Sequence, residues 1–162
     1  MASKMRIRLI WEGKTKSPHL RALEADYTAR IGHFTVLVVE EMARARSAFE
    51  SGRVRHGEAI SAAERRLLEK VNGSYKVCLD AGGREWSSEE FARWLGRQAL
   101  GGKRELAFLV GGTEGFSAAF KGQADLLLAL SRMTLTRDWA RVLLLEQLYR
   151  GFSILRGHPY PR

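Results

Sequence analysis

The sequence predicts an α/β protein, an open and mostly parallel sheet with helices on both faces, and three observations lead there. Short β-rich segments alternate with segments of helical period from one end of the chain to the other. Two of the β-rich segments run straight into glycine turns, Asp80-Ala81-Gly82-Gly83 and Gly111-Gly112-Thr113-Glu114-Gly115. The chain has 162 residues, enough for one full core and too few for two ordinary ones, so a single domain over 1–162 is expected.

The first strand is expected over Met5 to Trp11, where polar and apolar residues partly alternate before Glu12-Gly13-Lys14-Thr15-Lys16 breaks the pattern. Ser17 then fits an N-cap and Pro18 the first helical position, where a missing N–H costs nothing. Leu20, Leu23, Tyr27 and Ile31 recur at helical spacing, and Gly32 is a stop signal. Thr35 to Val39 is a continuous β-branched run, too short for a helix, and reads as a strand covered on both faces.

Between Met42 and Gly57 the pattern weakens and Arg44, Arg46, Arg53 and Arg55 accumulate. Two readings stay open for this stretch, a grip on RNA phosphates and a solvated charged face. Glu58 to Asn72 is expected to be a helix, with Ile60, Ala63, Leu67, Leu68 and Val71 inward. Tyr75 to Leu79 is the third strand, and Cys78 within it reads as a small buried apolar side chain. Ser87-Ser88-Glu89-Glu90 opens a helix with a capping hydroxyl and acids in the first turn, followed by Phe91, Trp94, Leu95 and Gln98 on one face. Leu106 to Val110 is the fourth strand, Ser117 to Ala124 a short helix, and Leu126 to Leu130 the fifth strand.

The last helix, Asp138 to about Leu155, is apolar nearly all the way round, and such a helix has to be covered on most faces. A homodimer packed through it is the expectation, against a central buried helix in a single chain. Glu146 within it reads either as a buried functional acid or, more commonly for such a residue, as a carboxylate satisfied by Arg141 or Arg150.

Composition narrows the function classes. With 27 Lys+Arg against 18 Asp+Glu the net charge is +9, which points to a polyanionic partner such as RNA. One cysteine forms no disulfide framework, and His19, His33, His56 and His158 show no paired metal spacing, so no metal is expected. An apolar leader at the N-terminus and an uncharged apolar run of membrane-spanning length are both missing, so a cytoplasmic protein with no membrane partner is expected. Neither glycine turn is GxGxxG or ends in Gly-Lys-Ser/Thr, and Glu114 would repel phosphate, so a nucleotide polyphosphate is poorly supported. A ligand with a cationic centre and an adenine ring suits such a loop, and S-adenosylmethionine (SAM) has that character. No G-x-S-x-G elbow occurs, and Ser117 reads as a helix cap rather than a nucleophile.

Taken together, the segments resemble the ribosomal RNA large-subunit methyltransferase H family, a minimal branch of the SPOUT methyltransferases. The likeness runs through Gly13-Lys14-Thr15-Lys16, Tyr27 with Arg30, Leu79-Asp80 with Gly83, and Ser87 to Ala92. It continues through Gly111-Gly112 with Glu114-Gly115, Leu130-Ser131 with Thr134-Leu135, Arg141-Val142 with Glu146 to Arg150, and His158-Pro159-Tyr160. It implies a homodimeric enzyme with a C-terminal α/β trefoil knot that methylates N3 of a pseudouridine in 23S ribosomal RNA of assembled ribosomes, using SAM. The cofactor would be held by Leu79, Gly111 and the segment Leu130, Ser131, Arg132, Met133, Thr134 and Leu135.

For the chemistry, Arg141, Arg150, His158 and Tyr160 are the candidates. The arginines would stabilise the anion of the ring, and His158 or Tyr160 would handle the proton or stack on the base. Each also has a structural reading, Arg150 pairing with Glu146 one turn away and the tail packing on a partner subunit. The chain departs from the family pattern where Thr136-Arg137 replaces Pro-His and where Pro161 replaces His, and Arg137 is the candidate to replace the missing cation. Those changes motivate the alternative of a ribosome-binding or assembly factor that keeps the fold without catalysis. A SPOUT enzyme acting on transfer RNA is a third reading, disfavoured because the likeness runs end to end with the minimal ribosomal branch.

Overall fold

Among the described residues the alternating pattern folds into one five-stranded sheet in which every neighbouring pair is parallel. The computed structural model describes residues 5–43, 59–102, 105–112 and 115–161. In chain order the elements are β1 (Arg6–Glu12), α1 (Pro18–Ile31), β2 (Val36–Met42), α2 (Ala62–Lys70), β3 (Tyr75–Glu85), α3 (Ser88–Leu100), β4 (Glu105–Val110), α4 (Ala118–Lys121), β5 (Leu126–Ala129) and α5 (Arg137–Arg156). The sheet order is β2-β1-β4-β3-β5, so two crossovers skip over strands already or later in place.

Alternation along each inner strand divides the core in two. Ile7, Leu9 and Trp11 of β1 and Leu106, Phe108 and Val110 of β4 face α1, α3 and α5. Ile10, Ala107, Leu109 and Cys78 point the other way, against Leu67 of α2 and Phe120 of α4. Cys78 is buried as expected, and burial pushes its thiol up to about 12.

Helix starts follow the capping chemistry in the sequence. The Ser17 hydroxyl accepts the Leu20 N–H with Pro18 in the first turn, and Ser87 and Glu90 form a reciprocal capping box at the head of α3. A second capping box, Ser61 with Glu64, starts α2 at Ala62, so the helix expected from Glu58 begins later; residue 58 itself lies outside the described residues, as does the arginine-rich stretch 44–55. The Ser-x-x-Glu signal was present in the sequence at those positions.

Three expectations change. In α1 the covered stripe is Leu20, Glu24, Tyr27 and Ile31, and Leu23 is left exposed, because Glu24 is drawn inward by a hydrogen bond from Thr15. β2, expected to be covered on both faces, is an edge strand; Val36 is exposed and Leu37 to Glu40 are only partly buried. β3 does not stop at Leu79 but continues to Glu85. Leu79 and Arg84 both stand opposite Leu128 of β5, so residues 80–83 are thrown out of register between them. Gly83 is where that detour presses on β5: a Cβ there would lie 2.6 Å from the Leu127 carbonyl carbon and 2.7 Å from the Leu128 nitrogen.

The apolar wrap of α5 is largely explained inside this chain, since the helix lies on the sheet between α1 and α3. Val142, Leu144, Leu145, Leu148 and Phe152 are buried there, while Trp139, Ile154 and Leu155 remain exposed and Leu143 partly so. Thr136 caps its start, and Gly157, at φ 65°, ends it in the left-handed conformation that favours glycine.

Candidate functional site

An open cleft of about 740 Å³ lies beyond the carboxyl ends of β3, β4 and β5, the place where open parallel sheets expose loop backbone to ligands. Three stretches form its walls: Leu79 to Ala81 from the detour in β3, Val110 to Gly112 with Gly115 after β4, and Leu128 to Asp138 between β5 and α5. Lys16, from the loop after β1, and Ala140, from the first turn of α5, complete it.

Seven of the eight residues expected to hold the cofactor line this one cleft: Leu79, Gly111, Leu130, Ser131, Met133, Thr134 and Leu135. Arg132 does not. Its side chain points to solvent and stands 3.6 Å from the Glu85 carboxylate. The Ser131 hydroxyl accepts the Met133 N–H at 2.9 Å, which turns the segment so that Arg132 faces out while its neighbours face the cleft. Glu114, also considered for this site, lies outside the described residues.

The lining fits SAM on physical grounds. Gly111 is a cradle that a side chain would fill, since a Cβ there would come within 3.2 Å of the Gly115 Cα. The Gly115 N–H closes the turn on the Gly112 carbonyl at 3.0 Å, with Gly115 at φ 72°. Leu79, Val110, Leu128 and Leu135 give apolar surface, and Asp80 and Asp138 give carboxylates suited to a cationic ligand. Asp80 is itself held, its Oδ2 accepting the Gly82 N–H at 3.1 Å and its Oδ1 lying 3.4 Å from Lys121 Nζ. Among the described residues no cluster of three or more His, Cys, Asp or Glu side chains is arranged to hold a metal ion. No described helix is long and apolar enough to cross a membrane.

None of the four candidates for the chemistry lines this cleft. Arg141 is fully buried. Its Nη2 donates to the Glu12 carbonyl at 2.6 Å, its Nη1 to the Gly13 carbonyl at 3.2 Å and to Thr15 Oγ1 at 3.0 Å, and its guanidinium lies 4.9 Å over the Trp11 ring. Arg150, His158 and Tyr160 gather elsewhere, at the far end of α5. Arg150 Nη2 donates to Glu146 Oε1 at 2.6 Å and its Nη1 to the Pro161 carbonyl at 2.6 Å, so the partner of Glu146 is Arg150 and not Arg141. The Tyr160 hydroxyl meets Tyr27 Oη at 3.1 Å and donates to Glu146 Oε1 at 3.2 Å, under the Arg150 guanidinium at 4.6 Å from the ring. His158 sets its edge against Phe34 at 5.5 Å. Burial, the bond with Tyr27 and the charge of Glu146 all push the Tyr160 phenol well above its usual range. The hydrogen bond to Glu146 holds Arg150 above the ordinary arginine value.

Lys16, Asp80 and Asp138 are cleft residues to which sequence reasoning gave no role, and Arg137, the expected substitute for the missing cation, lines the cleft with them. Arg137 stands where the family pattern departs, and it brings a cation to the rim of the cleft next to Asp138, 3.8 Å away. Lys16 reaches the site only because β1 lies beside β4, a neighbour relation that no local pattern announces.

Comparison with known proteins bears on the chain as a whole. A family model described as "Predicted SPOUT methyltransferase" matches residues 5–161. Ribosomal RNA large subunit methyltransferase H of Geotalea daltonii is 40% identical over 160 residues, covering 96% of this chain and 99% of the relative. The protein of the same name from Trichlorobacter lovleyi is 37% identical over 158 residues, covering 96% and 99%. Among solved structures, the tRNA (m1G37) methyltransferase from Aquifex aeolicus superposes with a TM-score of 0.54 at 12% identity, covering 98% of this chain and 75% of that one. At that identity the likeness speaks for the fold alone.

Proposed function

The chain belongs to the SPOUT methyltransferase family, and on that premise we propose that it transfers the methyl group of SAM to N3 of a pseudouridine in 23S ribosomal RNA, acting as a homodimer on assembled ribosomes in the cytoplasm. The observation that carries the reading is the convergence of Leu79, Gly111 and the Leu130 to Leu135 segment on one glycine-cradled cleft at the strand ends. The names of the relatives support the RNA substrate, and the net charge of +9 agrees with a polyanionic one. The knot is part of the same proposal and rests on the family.

SAM supplies an electrophilic methyl on a sulfonium when bound. The chain's own residues then have three tasks: to hold the cofactor, to orient the base, and to ease loss of the N3 proton. Asp80 and Asp138 present carboxylates to the cleft, balanced by the nearby cations Lys121 and Arg137, and the backbone of Gly111 and Gly112 allows close approach. Arg150 stays cationic and suits stabilisation of a ring anion. Tyr160 holds its proton too firmly to be a base at neutral pH, so it donates a hydrogen bond or stacks on the base, and His158 is the group in the tail left to accept a proton.

The homodimer is supported by two features of α5. Trp139, Leu143 and Ile154 form a half-exposed stripe along one side of the helix. Arg150 also lies thirteen residues beyond Arg137, about 20 Å down the helix at 1.5 Å per residue, so a chain cannot bring its own tail cluster to its own cleft in this arrangement. A second copy with α5 antiparallel would bring its tail toward the cleft of the first.

The test is transfer of labelled methyl from SAM to ribosomes lacking the modification, with calorimetry of SAM alone alongside. Transfer located at pseudouridine N3 is the expected result. SAM binding without transfer to any large-subunit RNA would defeat the substrate assignment. Ribosome binding with no affinity for SAM would favour the assembly factor that has kept the fold and lost the chemistry, the reading that Thr136-Arg137 and Pro161 motivate.

A further inference from the structure

Arg141 is one of the largest fully buried side chains, and it is charged. Burying a guanidinium is costly unless hydrogen bonds compensate, and here its two terminal nitrogens reach one short piece of chain. Three of its bonds go to Glu12 O, Gly13 O and Thr15 Oγ1, in the loop that leaves β1. The same loop is tied a second time. The Lys16 N–H donates to Asp138 Oδ2 at 3.3 Å, while Asp138 Oδ1 lies 3.7 Å from Arg141 Nη1. Both Asp138 and Arg141 belong to the first turns of α5. Lys16 forms one side of the cleft, and Thr134 to Asp138 with Ala140 form another.

We infer that Arg141 is a positioning residue of the cofactor cleft: by pinning the Glu12 to Lys16 loop to the head of α5, it fixes the distance between two cleft walls that are more than a hundred residues apart in sequence. The geometry needs the fork of arginine in particular. Two carbonyls and a hydroxyl are reached by two terminal nitrogens over a flat tryptophan ring, and the point charge of lysine cannot match that pattern. Thr15 is part of the device, accepting from Arg141 while donating to Glu24 of α1. The role of Arg141 is thus separate from that of Arg150, although both were candidates for direct contact with the reacting base.

The inference rests on the cleft being the SAM site, and the test separates the two. Amide hydrogen exchange is measured on the free full-length chain for the native protein, Arg141→Lys and Thr15→Val, together with calorimetric affinity for SAM. In Arg141→Lys the Lys16 amide and its neighbours in the loop should exchange at least about tenfold faster, the expected effect of losing one hydrogen bond to a charged group. Interior amides of β1 and β4 should keep their native rates, and SAM affinity should fall by about tenfold or more for the same reason. Thr15→Val, which keeps the guanidinium and its two carbonyl partners, should show the same pattern at about threefold and carries the test if Arg141→Lys does not fold. Loop amides that exchange at native rates would overturn the inference, and so would acceleration of the loop and the sheet interior in step, the mark of a purely structural role. A native chain that binds no SAM would defeat the cofactor reading, and the exchange measurements would still decide whether Arg141 pins the loop.

Discussion

Replacing Gly83 with alanine should be among the costliest single-methyl changes in the chain, although Gly83 has no unusual φ that demands glycine. The reason is contact with backbone. The added Cβ would sit 2.6 Å from the Leu127 carbonyl carbon and 2.7 Å from both its oxygen and the Leu128 nitrogen, three atoms of β5 that cannot swing aside as a side chain tip could. Relief requires residues 80–83 to lift away from β5, and the pairs Arg84↔Leu128 and Glu85↔Ala129 follow immediately. Overpacking of this kind costs about 2–3 kcal/mol. Stiffening of the unfolded chain by the methyl returns about 0.5 kcal/mol, leaving about 2 kcal/mol. For a chain of this size that is a fall in Tm of about 4–8 °C. Because Leu79 to Ala81 line the cleft, SAM affinity should fall as well. Thermal melting and calorimetry of Gly83→Ala are compared with Gly82→Ala, whose Cβ would meet only the movable Asp80 carboxylate at 3.1 Å and should cost within about 0.5 kcal/mol. Equal melting of Gly83→Ala and the native chain, or equal losses in the two variants, would refute the reasoning.

The composite site can be tested by mixing. Chains carrying Arg150→Met and chains carrying Gly111→Leu should each be inactive as pure dimers, yet an equimolar mixture should recover up to about one quarter of native methyl transfer, since about half of its dimers are mixed and one of the two clefts in each keeps both parts intact; no recovery would argue that each chain works alone. Burial holds Glu24 above the ordinary glutamic acid value, more than Thr15 and Arg141 hold it down. The folded state therefore binds the Glu24 proton more tightly than the unfolded one, and stability contributed at this site falls as pH rises from about 4.5 through the raised value. Urea midpoints of Glu24→Gln from about pH 4 to about pH 8 should show a flatter decline than the native chain, and an unchanged slope would count against it. Cys78, fully buried with its thiol pushed up to about 12, should resist alkylation at neutral pH until the chain unfolds; rapid labelling of the native protein would show that the α2–α4 face of the sheet opens readily.

Local chemistry was legible where one residue could be read with its near neighbours. Ser17 and Pro18, and Ser87 with Glu90, mark their helix starts because a cap is a contact over three residues. The strand cores of β1, β4 and β5 were legible for the same reason, as runs of apolar side chains. Burial of β2 was not, since Val36 to Val39 have the composition of a central strand and only the sheet order reveals an edge. Glu24 was missed by a related route. Periodicity prefers Leu23, but the inward position is taken by a carboxylate that Thr15 can bond, a contact nine residues away.

The site shows the same limit more sharply. Leu79, Gly111 and Leu130 to Leu135 were recognised as three loops, and the order β4-β3-β5 explains why they meet: the strands before them are consecutive across the sheet, so their carboxyl ends open on one cleft. The fourth wall comes from the other neighbour of β4. β1 delivers Lys16 there, and Arg141 fastens it, although a motif that runs Arg141-Val142 to Glu146 and Arg150 presents both arginines as one functional group. Helical geometry separates them. Nine residues is two and a half turns, so Arg141 and Arg150 lie on opposite sides of α5 as well as about 13 Å apart along it. One turns into the sheet and closes on the β1 loop, and the other turns out toward the tail, where Glu146 and Tyr160 fix its charge at the surface. A single helix thus carries the brace of the cleft at its head and, in the proposed reaction, the cation that acts on the base at its foot, a separation that two copies of the helix lying side by side would close.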